Sequence, residues 1–131
     1  MFLSKLTYDE KLSFLNLAHI MMNIDEEQTA EEEQVFQRYQ SECGIAEFNI
    51  NMDISSALNV LTSSSDKIKK IVFVELWGIV AADEKLEESE LKLMNEIGAA
   101  LSLSKETMDE LKNWMLSLID TIKVGCELIA K

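Results

Sequence analysis

Carboxylates are the side chains of this 131-residue sequence that gather in a chemically suggestive way. Six lie between Asp25 and Glu33 with no base among them, and five lie between Asp83 and Glu90 opposed only by Lys85. Oxygen-only clusters of this kind suit a hard cation such as Ca²⁺ or Mg²⁺ better than zinc. The same charges have a structural use. Glu31, Glu32, Glu88 and Glu90 fall in the first turns of expected helices, where negative charge is favoured by about 0.3–1 kcal/mol. Asp25 and Asp83 fall where the preceding helices should end, and there a negative charge gains only by capping the next helix or meeting a cation. The twelve-residue loop of an EF-hand, with its central glycine, does not fit either stretch.

Other reactive groups are sparse. His19 is the only histidine, and its spacing to Cys43 and to the serines suggests no nucleophilic arrangement, so a satisfied histidine on a mostly buried helix is the expectation. No glutamate precedes His19 by three, which removes a ferritin-like di-iron site. Glu75 stands alone in an apolar run and is expected to reach an edge or pair with a lysine. Cys43 reads as core, and neither it nor Cys126 sits at metal-ligand spacing. Seven methionines read as core filling, and Trp114 as partly exposed. No glycine-rich phosphate loop is present.

The elements that must hold these groups are helices. Proline is absent, there are four glycines, and no stretch alternates with period two. Thr7 with Glu10 forms a capping box opening a helix to about Asn23, whose apolar residues point nearly all round. Thr29 with Glu32 opens a second helix with a narrow stripe, Val35, Phe36, Tyr39 and Cys43, closed by Gly44 as a left-handed cap. A short helix over Asp53–Leu61 and a serine turn at 63–65 follow. Next come an all-round apolar helix from Ile68 to Val80 and a narrow stripe of Leu93, Met94, Ile97 and Leu101. A last helix from Ser104 carries a seam of Met108, Leu111, Met115, Leu118, Ile122 and Ile129, with Gly125 loosening its end. The fold class is therefore all-α, with six to seven helices in a single domain over residues 1–131.

A shift of 58 residues lays one half on the other without a gap: Asp25 on Asp83, Glu32 on Glu90, Phe36 on Met94, Tyr39 on Ile97, Cys43 on Leu101. The repeat covers about 7–62 and 65–120. Twice, a buried helix ends in an acidic hinge that leads into a capped amphipathic helix: Ile24-Asp25-Glu26 through Thr29-Ala30-Glu31-Glu32, and Ala82-Asp83-Glu84 through Glu87-Glu88-Ser89-Glu90. This doubled pattern resembles the TerB-like domains of tellurite resistance, also found at the front of certain DnaJ-type co-chaperones. The resemblance spans roughly Thr7 to Leu118. The repeat itself predicts two buried helices side by side, each flanked by an amphipathic one; the resemblance implies an all-helical domain with a metal-ion site on paired acidic hinges, which here would use Asp25, Glu32, Asp83 and Glu90 to hold Ca²⁺ or Mg²⁺. A solvated capping face remains the competing reading of the same residues.

Charge narrows the function further. Acidic residues number 24 against 12 basic ones, a net charge of -12, and Arg38 is the only arginine. Such a field disfavours direct contact with nucleic acid and with anionic lipid. The longest apolar stretch, Ile71–Ala82, is twelve residues and includes Glu75, well short of the roughly twenty a membrane span needs. Together with the stress-related role that the TerB-like resemblance implies, the expectation is a cytoplasmic, non-catalytic interaction module with an acidic rim that binds a cation, or alternatively an adaptor docking a basic protein surface without metal. A metal-assisted hydrolase would need a pocket lined by several hinge carboxylates.

Overall fold

The computed structural model describes residues 1–24, 29–82 and 86–131. A 3-10 turn at Leu3–Lys5 precedes six helices: α1 Tyr8–Met22, α2 Ala30–Cys43, α3 Ile54–Thr62, α4 Asp66–Val80, α5 Glu88–Ala100 and α6 Lys105–Ala130. The fold is all-α, and no strand occurs among the described residues. Each helix start has a local cause. The hydroxyls of Thr7, Thr29, Ser65 and Ser104 each accept the backbone N–H three residues on, and the Asp53 carboxylate does the same for Ser56. The Glu10 and Glu32 carboxylates complete reciprocal boxes by accepting the N–H of Thr7 and of Thr29.

The centre is built from α1 and α4, which pack on each other; α1 also packs on α2 and α3, and α4 on α2, α5 and α6. From Ile71 to Val80 every residue of α4 is buried, as are Ser13–Ala18, Met21 and Met22 of α1, so both lie inside a ring of helices. The amphipathic helices contribute their narrow stripes, Phe36, Tyr39 and Cys43 from α2 and Leu93, Met94 and Ile97 from α5.

Helix boundaries keep the 58-residue offset. Tyr8 and Met22 correspond to Asp66 and Val80, and Ala30 to Glu88. The ends of α2 and α5 match in finer detail. Gly44 donates to the Ser41 carbonyl and Ile45 to that of Gln40; Ser102 donates to Ala99 and Leu103 to Gly98. Both turns close through a left-handed residue, Gly44 at φ +71° and Ser102 at φ +60°. The halves then diverge, because α2 reaches α3 through an extended stretch at 45–53 whereas α6 begins almost at once. Fully buried Asn16 of α1 clasps that stretch. Its Oδ1 accepts the N–H of Asn51 (3.1 Å) and Met52 (3.2 Å), while its Nδ2 donates to the Leu12 carbonyl and to Asn51 Oδ1.

Two expectations about α6 need correction. Gly125 does not loosen the helix, which runs on to Ala130. Nor does its apolar seam stay covered: Met115 is buried, but Ile122 is 55% exposed and Ile129 86%, because the helix outruns the α4 side it packs against.

Candidate functional site

The acidic corners are positioned by the starts of α2 and α5. Glu32 and Glu90, each 3% exposed, are held as the third residues of their helices. Glu32 Oε1 accepts from the Thr29 amide and hydroxyl, both at 3.2 Å, and Glu90 Oε1 accepts from the Glu87 amide at 3.3 Å. Around them Glu31, Glu33, Glu87 and Glu88 are exposed. Asp25 and Asp83, with Glu26, Glu27, Gln28, Glu84 and Lys85, lie outside the described residues. Of the four residues expected to hold a cation, the structure therefore places two, and both serve helix capping. Among the described residues no three His, Cys, Asp or Glu side chains stand together as a metal site.

A groove lies between α2 and α6, floored by α4. Tyr39 faces Glu75 and Gly78, while Val35 and Ala82 line the same groove. The groove measures about 370 Å³, and its apolar lining comes chiefly from Val35, Tyr39, Met115, Leu118, Ile119 and Ile122. Glu32 and Glu90 do not line it; the carboxylates there are Glu42 and Glu75.

Glu75 is the chemically unusual residue of this groove, and its expected pairing with a lysine is wrong. It is 1% exposed, and its Oε2 meets the Met1 ammonium at 2.9 Å. The carboxylate of Glu42 closes on the same ammonium, with Oε2 at 2.7 Å. Burial pushes the Glu75 carboxyl above its ordinary pKa near 4.5, only partly offset by the ammonium. The burial that Met1 itself suffers opposes its charge, yet hydrogen bonds and attraction from the two glutamates prevail and hold the amine above its usual 8.0. Beside this cluster the Tyr39 hydroxyl donates to the Glu75 carbonyl oxygen at 2.7 Å. Burial, then the negative charges of Glu75 and Glu42, raise its phenol well above 10, so it stays a donor. Gly78 makes room for that hydroxyl: a Cβ there would stand 2.0 Å from it. A glycine inside an apolar helix, one turn from a glutamate, was the signal in the sequence for a close approach at this point.

The remaining candidates have structural roles. His19 packs edge-on to Phe36, with the Asn23 amide 3.1 Å from its Nδ1. Its repeat partner Trp77 is buried edge-on to Phe73. Cys43 is buried, and burial above all raises its thiol to about 11. No described helix is long and apolar enough to cross a membrane. Compared with known proteins, the chain matches no family model, no curated protein and no solved structure.

Proposed function

We propose that this protein is a non-catalytic, TerB-like interaction module of the cytoplasm, linked to stress responses of the tellurite-resistance kind, whose working surface is the acidic rim at the starts of α2 and α5. The observation that supports the reading is that Val35 of α2 and Ala82, the last described residue before the second hinge, line one groove. Glu31 and Glu33, exposed one turn before Val35, stand near the rim under this reading. Two acidic segments far apart in sequence would then act as one field in a chain of net charge -12. Under this reading the ion, Ca²⁺ or Mg²⁺, would be held by Asp25 and Asp83 with Glu32 and Glu90, and its chemistry would be charge neutralisation and ordering of the hinges.

An adaptor without metal is the second reading, favoured by the use of Glu32 and Glu90 as capping residues. There the rim docks a basic protein surface directly. Calorimetric titration with Ca²⁺ and Mg²⁺ separates the two. Binding heat that disappears in the Asp25→Asn, Asp83→Asn variant supports the ion; silence in the wild type removes it. A lysine-rich helical peptide then tests the rim itself, with affinity expected to fall steeply as salt rises past physiological strength. If neither ion nor peptide binds, the acidic rim has no part in function.

A further inference from the structure

Among the described residues, two adjoining apolar surfaces stand open: the groove between α2 and α6, and the last three turns of α6, where Ile122, Val124, Leu128 and Ile129 are all more than half exposed. We propose that they are complementary parts of one interface, in which a second copy of this chain lays the end of its α6 antiparallel into the groove and receives the other copy's α6 in return. Such an arrangement is isologous, each chain giving and accepting the same surface, and it closes at two chains.

Three features fit a second copy to this place. The groove's α6 wall, Leu118, Ile119 and Ile122, continues without interruption into the exposed tail, so a partner tail lying along that wall covers both surfaces at once. Gly125 sits at the middle of the exposed arc, between Ile122 and Leu128, and open space surrounds the position where its Cβ would be. Two helices can approach closely there, since interhelical distance is set by the side chains at the crossing. Charge supplies the third feature. Asp120, Val124 and Glu127, at four- and three-residue steps, form one flank of the tail, leaving acids beside its apolar face. At the rim of the groove stands exposed Arg38, the sole arginine, which makes no ion pair within the described part of its own chain. The acidic flank of one copy then meets the cation of the other.

Sedimentation velocity of the whole chain tests this at about 0.15 M salt, from micromolar to hundreds of micromolar. The expected result is a reversible monomer–dimer equilibrium. In the Ile122→Glu, Leu128→Glu variant both substituted residues are exposed in the monomer, so helicity by circular dichroism should hold while the dissociation constant rises at least about a hundredfold. Arg38→Glu and Glu127→Arg should each weaken the dimer several-fold, and their combination in one chain should restore it. A protein that stays monomeric throughout, as it would if the groove serves an unrelated helix, overturns the proposal. So does a dimer indifferent to Ile122→Glu, Leu128→Glu, or a combined charge variant no tighter than its singles.

Discussion

Replacing Ser102 with glycine should make this protein more stable. Ser102 is the left-handed residue that ends α5, at φ +60°, in the same hydrogen-bonded turn that Gly44 makes at φ +71° after α2. A side chain in that conformation costs roughly 1–2 kcal/mol through the contact of Cβ with the following carbonyl. Glycine removes this cost but adds chain freedom to the unfolded state, worth about 0.5–1 kcal/mol. The Ser102 side chain is exposed, so its removal leaves no cavity. The net expectation is a gain of about 0.5–1 kcal/mol, or roughly 2–4 °C in Tm for a chain of this size. Gly44→Ala is the mirror experiment and should cost about 0.5–1 kcal/mol, with open space around its Cβ ensuring that no new contact adds to the balance of strain and chain freedom. Urea unfolding followed by circular dichroism reads both, and the midpoint should move with no change in slope. A neutral or destabilising Ser102→Gly alongside a harmless Gly44→Ala would mean that neither turn is strained, and the reasoning would fail.

Gly78→Ala should destabilise by about 1–3 kcal/mol, because the new Cβ displaces the Tyr39 hydroxyl; in Tyr39→Phe the cost of adding Gly78→Ala should be smaller, and equal costs in both backgrounds would refute the clash. Stability should decline as pH rises past 8: the Met1 amine has its pKa raised by folding, so its contribution is complete below 8 and disappears as it deprotonates above. Glu75 acts with the opposite charge but the same slope, since a raised carboxyl pKa means that ionising it above pH 4.5 costs stability. Glu75→Gln should therefore flatten the pH–stability profile on both sides, and an unchanged profile counts against the cluster. Thiol titration with an aromatic disulfide at neutral pH and low protein concentration should find only Cys126 reactive in the native state, with Cys43, buried and raised to about 11, appearing on unfolding.

What the sequence makes legible is what its own neighbours decide. Thr7 with Glu10 and Thr29 with Glu32 are readable as capping boxes because each bond spans three residues, and Gly44 is readable because few other residues take its conformation. Ser102 hides the same turn behind an ordinary side chain, and only its place 58 residues after Gly44 points to it. Glu75 is conspicuous in an apolar helix, yet its partner lies 74 positions away at Met1, a distance that no local pattern spans. The seam of α6 shows the same limit. Periodicity identifies which residues share a face, but how far that face stays covered depends on where the neighbouring helices stop. Asp25 and Asp83, on which the ion reading turns, carry the clearest chemical pattern in the chain and lie outside the described residues.

The clasp at Asn16 has a kinetic corollary. One buried amide holds two backbone N–H groups of a stretch that belongs to no helix, so the amides of Asn51 and Met52 should exchange with solvent hydrogen far more slowly than those between 46 and 50. Their exchange rate then reports a single event, the release of this stretch from α1, and should follow the detachment of α3 rather than the unravelling of the whole chain.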